Sequence, residues 1–205
     1  MKDEWYGDKR DLVKWAVLLH LANEYSVQRV VQVAYLRHNK WKSIFIDEKK
    51  KDIPPEVLIH FRCTNNIINL ASNPEIIFIN SIMKTRSSYL KVVLGEVNKY
   101  KDKRNVIFLD PDTGLEPGRP TLKHVLVSEL EEIWKTMQGG DLLVFYQHKT
   151  NRNKKPWIEE KRKQFAGALG VPISDVKKAQ SPEIASDVVF FYCQKDDSSA
   201  NKGAA

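Results

Sequence analysis

Asn105-Val106-Ile107-Phe108-Leu109-Asp110-Pro111-Asp112-Thr113-Gly114 decides the fold. Four apolar residues follow Asn105 without a polar break, and the chain then turns on two carboxylates, a proline and a glycine. A strand that is apolar at every position has both faces buried, which is the condition of a parallel sheet covered by helices. Ligands of such sheets bind beyond the carboxyl ends of the strands, so chemistry is expected just after Leu109. The same pattern recurs at RVVQVAYL (29–36), at EIIFINS (75–81), at DLLVFYQH (141–148), which Gly139-Gly140 leads, and at DVVFFYCQ (187–194).

Between these runs, apolar residues recur at three- and four-residue spacing, the period of a helix with one buried face. Leu12, Trp15, Ala16, Leu19 and Ala22 predict a helix over 9–25, with Asp8 or Asp11 near its start. Tyr89, Val92, Val93 and Val97 predict another over 87–100. Residues 121–138 read as a helix stopped by Gly139-Gly140, and 157–170 as one ended by Gly170. Residues 57–71 also read as helical, whereas 40–55, charged and closed by Pro54-Pro55, read as an exposed connection. The alternation predicts an α/β fold: a Rossmann-like, doubly wound, mostly parallel sheet with helices on both faces, in a single domain over 1–194. Residues 195–205 read as a flexible polar tail.

In 205 residues, a hydrophobic share of 42% with 29% charged excludes a disordered chain. The charged start MKDEWYGDKRD is unlike a signal peptide, and no run approaches the roughly 18 apolar residues of a membrane span. A cytoplasmic protein without a membrane partner is the expectation. Cys63 and Cys193 lack the spacing of a zinc site or a disulfide framework and read as two small buried thiols. A formal charge of +7 favours an anionic partner, nucleic acid or a nucleotide.

Three segments after predicted strands, and the first helix, carry the candidate chemistry. Asp110 and Asp112 can orient an amino group or act as a general base, or join Glu116 as hard oxygen ligands of Mg²⁺. The bland alternative is an Asp/Pro/Gly turn with a helix cap at Thr121. Tyr146, Gln147, His148 and Lys149 bring an aromatic face, an amide, an imidazole and an ammonium together, able to grip a base and a phosphate, with His148 and Lys149 as catalytic candidates. The alternative makes Tyr146 core and Lys149 a solvated charge. Arg152, Lys154 and Lys155 run into Trp157, cations beside an aromatic, as a backbone-neutralising and base-stacking loop requires. In the first helix Lys14 lies one turn from Arg10 and Asp11, so the three can project toward one ligand.

The order of a capped helix, a first strand, a strand ending in Asp-Pro and a strand led by Gly-Gly resembles class I S-adenosylmethionine-dependent methyltransferases, especially the bacterial 23S ribosomal RNA adenine-N6 methyltransferase family. That family opens with a Gly-Asn-His-Ala-Asp-Val-x-Lys-His type segment, echoed here by Gly7, Asp11 and Lys14. Its catalytic Asp-Pro-Pro-Tyr falls on Asp110-Pro111-Asp112-Thr113, and its Gly-Gly strand ending in an aromatic pair falls on Gly139 to Tyr146. The resemblance implies S-adenosylmethionine as cofactor, with Lys14, Asp11 and Tyr35 near it, and Asp110 accepting the target amine. Two departures imply an activity changed or lost. Ala34-Tyr35-Leu36-Arg37-His38-Asn39, after the first strand, contains no glycine, and Asp112 and Thr113 replace the Pro and aromatic that would hold a flipped base.

A rival reading starts from Pro111-Asp112 and Gln147-His148-Lys149, which resemble the PD-(D/E/Q)xK nucleases, where the acid binds Mg²⁺ and the lysine steadies the attacked phosphate. Against it, both acids follow their strand and a long helix separates the two parts. A non-enzymatic nucleic-acid-binding protein on the same fold is the third expectation.

Overall fold

A computed structural model describes residues 8–37, 43–57, 65–149 and 156–197. The chain runs through α1 (Lys9–Glu24), β1 (Arg29–Val33), β2 (Ser43–Ile46), β3 (Lys49–Asp52), the single turn α2 (Asn65–Ile68), β4 (Glu75–Phe78), α3 (Arg86–Lys99) and β5 (Asn105–Leu109). It continues through the short β6 (Gly114–Leu115) and β7 (His124–Val125), α4 (Val127–Thr136), β8 (Leu142–His148), α5 (Trp157–Leu169), β9 (Lys177–Ala179), the turn α6 (Pro182–Ala185) and β10 (Val188–Gln194).

Six strands form one sheet in the order β4-β1-β5-β8-β10-β9. The first four are parallel, and β10 runs antiparallel to both β8 and β9. The expected mixed α/β fold with a mostly parallel sheet is present. The apolar run of β10 does not mark a parallel strand, however. It lies inside the sheet with both faces covered, and continuous apolarity reports that burial rather than direction.

Side-chain alternation sends one set of strand residues to each face. Val30, Phe108, Val144 and Phe190 pack beneath Trp15, Leu18 and Leu21 of α1. Val31, Ile107, Phe145 and Phe191 pack against Val93 of α3, Ile133 of α4 and Phe165 of α5. The cap of α1 is Asp8, whose carboxylate accepts the backbone N–H groups of Arg10 and Asp11. Among the described residues no helix is long and apolar enough to cross a membrane.

Several boundaries differ from the sequence reading. The expected connection over 40–55 contains a β-hairpin, β2 and β3, with Asp47 and Glu48 at its turn. Of the expected helix over 57–71, Val57 lies in a helical turn over 55–57 and α2 is helical, and 58–64, with Cys63, lie outside the described residues. The helix expected from 121 begins at Val127, because His124 and Val125 first pair with Gly114 and Leu115. Thr121 therefore caps no helix; its N–H donates to His124 Nδ1. The expected tail starts well anchored. The N–H of Lys195 donates to the Asp141 carbonyl, and its ammonium reaches the Trp134 carbonyl at 2.7 Å. Residues 198–205 lie outside the described set.

The segment leaving β5 is held from beneath by Gln147. Its side-chain oxygen accepts the Leu115 N–H at 2.9 Å, and its amide nitrogen donates to the carbonyls of Thr113 at 3.1 Å and His148 at 2.8 Å. Gly114 passes directly over this amide at a φ of 117°, and a Cβ there would overlap it. Gly114→Ala is expected to lower stability by about 2–4 kcal/mol, from backbone strain and forced overlap. Urea unfolding measures it. In a Gln147→Ala background the same substitution should cost less, because the overlap disappears while the strain stays.

Candidate functional site

The start of α1 lies over the carboxyl ends of β1, β5 and β8. Lys14 is buried on the inner side of the helix, and its ammonium donates to Asp11 at 2.6 Å and to Asp110 at 2.9 Å. The same Asp110 oxygen accepts the side-chain amide of Gln32, in β1, at 2.8 Å. The Lys14 ammonium stands 5.6 Å from the centre of the Tyr146 ring. Four polar residues thus share one dry volume: Asp11, Lys14, Gln32 and Asp110 are each at most 6% exposed. Burial alone would lower the Lys14 pKa, but attraction to Asp110 and Asp11 outweighs it and holds the ammonium well above its ordinary range. Burial, reinforced by the Asp110 charge, pushes the Tyr146 phenol up.

A second, wetter network adjoins the first. Asp187, just before β10, accepts Arg10 at 2.6 Å and lies 3.0 Å from His148 Nε2. Arg10 also reaches its neighbour Asp8 at 3.3 Å. The hydrogen bond from Arg10 is the main reason that the Asp187 carboxyl is held below its ordinary value. Asp112 forms an ion pair with Arg37. Lys149 is half-buried, and its N–H donates to the Asp187 carbonyl.

The strand ends at 110 and 146 do meet, since β5 and β8 are parallel neighbours with Leu109 opposite Phe145. Tyr146, like Asp110, faces α1, and the next residue, Gln147, points to the opposite side and is fully buried against its own backbone partners. Gln147 accordingly fixes the 113–116 segment and presents nothing to a ligand, which corrects its assignment as a substrate contact. Lys161 of α5 and Gln164 hold the same segment, donating to the Glu116 carbonyl at 3.1 and 3.0 Å. Trp157 is half-buried against the core beneath α5 rather than standing free for base stacking. Arg152, Lys154 and Lys155 lie outside the described residues.

Tyr35 also differs from its expected role beside a cofactor. It adopts a left-handed φ of 50°, is 4% exposed, and its ring lies 5.2 Å from that of Tyr89. Its backbone N–H donates to the Tyr89 hydroxyl at 2.9 Å. The next residue, Leu36, bridges to Ile82, and its carbonyl accepts the Met83 N–H at 2.7 Å. A dinucleotide-like cofactor needs an open, glycine-built turn here, so that the backbone can approach it. This turn is filled by side chains and tied to the chain after β4, so these residues do not fit S-adenosylmethionine at the end of β1.

The candidate metal set is likewise dispersed among other partners. Asp110 engages Lys14 and Gln32, Asp112 engages Arg37, and Glu116 accepts the Val127 N–H at 2.9 Å. Among the described residues no three His, Cys, Asp or Glu side chains are grouped to hold a metal ion. No protein-family model matches the chain, and no curated protein matches it in sequence.

Gln32, Arg37 and Asp187 were missed from the sequence. Gln32 carried a signal, being the one polar residue between Val30 and Ala34, and a buried polar group needs a partner. Arg37 and Asp187 carried none, since a charge at a strand edge is ordinarily solvated.

Lys14→Met leaves two buried carboxylates without their cation and is expected to cost about 3–5 kcal/mol. That corresponds to a melting temperature lower by roughly 6–20 °C in calorimetry. Combining it with Asp11→Leu and Asp110→Leu should recover much of the loss. Asp187 follows the opposite pH rule from a lysine. Its folded pKa is depressed, so its stabilisation is present above the ordinary value near 3.9 and vanishes as pH falls through the lower folded value. Asp187→Asn should therefore flatten the acid limb of a stability–pH curve below about pH 4 while leaving the limb above pH 9 unchanged.

Proposed function

We propose that this chain is a Rossmann-like domain of the class I methyltransferase type that binds nucleic acid, and that its cofactor turn is degenerate. The observation that carries the reading is the ion pair of Lys14 with Asp110 at 2.9 Å, between residues 96 apart in sequence. The methyltransferase resemblance assigns these two residues, from two separate motifs, to one site. The pair lies where chain order switches, since β1 is followed by β4 on one side and neighboured by β5 on the other. Such switch points are where open α/β sheets bind ligands. The far edge adds support. Sheets of class I methyltransferases end with an antiparallel strand inserted beside the last parallel ones, and β10 lies in the same way between β8 and β9.

The nucleic-acid part of the reading rests on charge. An excess of 33 Lys and Arg over 26 Asp and Glu attracts a polyanion and accelerates its capture. The nuclease alternative draws less support, because the Gln147 side chain is bound to the backbone of Leu115 and Thr113, and Asp112 to Arg37. The degenerate cofactor site follows from the turn at Tyr35, which offers a ring and an occupied N–H where a methyltransferase offers glycine.

Thermal unfolding with each ligand tests both parts, because a ligand specific for the native state must raise the melting temperature. Millimolar S-adenosylmethionine should leave it unchanged, and a single-stranded oligonucleotide at low salt should raise it, with affinity falling steeply as salt increases. A cofactor-induced rise with methyl transfer to nucleic acid would show the turn to be competent. Failure of every oligonucleotide to bind at low salt would remove the nucleic-acid assignment.

A further inference from the structure

The hairpin of β2 and β3 has an unusual surface. Every residue of its two strands except Ser43 is exposed, including Ile44 at 45%, Phe45 at 73% and Ile46 at 52%. Its register places Ile44 opposite Lys51, Phe45 opposite Lys50 and Ile46 opposite Lys49. Directly opposed residues share a face, so each exposed apolar side chain stands beside an ammonium group, on both sides of the ribbon. The turn residues Asp47 and Glu48 take φ values of 47° and 62°, the backbone of a tight two-residue hairpin turn. Phe45, 73% exposed beside Lys50, is the largest apolar side chain that the ribbon offers to a partner.

The charge pattern selects the occupant. Cations occupy the middle of the ribbon, while the carboxylates are confined to its ends, Asp47 and Glu48 at the turn and Asp52 at the base. A partner matching the middle must offer negative charge and flat apolar surface at short, alternating intervals. A single strand of nucleic acid does so through its phosphates and bases. An anionic bilayer matches less well, because the hairpin would lead into it with its two acidic turn residues. The chain also limits how far the ribbon can lie from the site. Arg37 pairs with Asp112 at the strand ends, and residues 38–42 can span at most about 20 Å before Ser43.

We infer that this hairpin is a nucleic-acid-binding arm of the domain, with Phe45 stacking on a base and Lys50, which shares its face, neutralising a neighbouring phosphate. The inference rests on the nucleic-acid reading above and names the surface that does the gripping. In the full-length chain Phe45 and Lys50 are exposed, so Phe45→Ser and Lys50→Gln should keep the wild-type melting temperature.

Fluorescence anisotropy with a labelled single-stranded oligonucleotide, run against salt, tests it. Phe45→Ser should weaken binding about five- to a hundredfold, the loss of one stacked base. Lys50→Gln should reduce the slope of log affinity against log salt by about 0.7. If the wild type binds and both variants bind equally well with the same slope, the arm is overturned while the nucleic-acid reading stands. If the wild type binds no oligonucleotide at low salt, both fail. Hairpin-dependent binding to phosphatidylserine vesicles without oligonucleotide binding would instead assign the surface to a membrane.

Discussion

Lys14 carries its charge in a place from which water is excluded, and the arrangement of the strand ends follows from the two carboxylates that make this tolerable. Removing an ion from water costs several kcal/mol even in a relaxed protein interior. The cost is offset here because Asp11 comes from the same helix and Asp110 from the neighbouring strand end, both within 3 Å of the ammonium. The second contact ties α1 across the ends of the sheet. Gln32 donates a further hydrogen bond to Asp110 and extends the polar centre into β1. The acid at the end of β5 is thus neither solvated nor free to turn, and its orientation is set by the helix that opens the chain.

Around this centre the other strand-end segments are fixed by unrelated means. The segment after β1 is closed by the Tyr35–Tyr89 contact and by pairing with the chain after β4. The segment after β5 is pinned by Gln147 from below and by Lys161 and Gln164 from α5. Arg86 of α3 supports the start of α4 by bonding Glu129, which in turn accepts the Leu126 N–H. A floor so thoroughly bonded suits a fixed platform better than a cleft that must open for a small cofactor.

Much of the fold was legible because burial leaves a direct trace in residue type. The continuous apolar runs located β1, β4, β5, β8 and β10, and the periodicity of α1, α3 and α5 placed those helices to within a residue or two. Direction was not legible for β10, since an interior strand is apolar on both faces whichever way it runs. The hairpin was hidden by its charge: Lys49, Lys50 and Lys51 read as a solvated connection, and Asp47 and Glu48 lack the glycine that usually marks such a turn. The site was half legible. Post-strand position drew attention to Asp110, and helical spacing placed Lys14 with Asp11, and the three are bonded together in the structure. Spacing alone could not tell that Gln147 and Tyr35 face inward, because that depends on which side of a pleated strand or a tight turn each one occupies.

The account depends most on the coupling between Lys14 and Asp110, which a double-mutant cycle measures without reference to any ligand. Stabilities of the wild type, Lys14→Met, Asp110→Asn and the double variant, taken from urea unfolding, should show the two changes to be non-additive by about 2–3 kcal/mol. Additivity to within about 0.5 kcal/mol would contradict the ion pair as the organising contact of the strand ends.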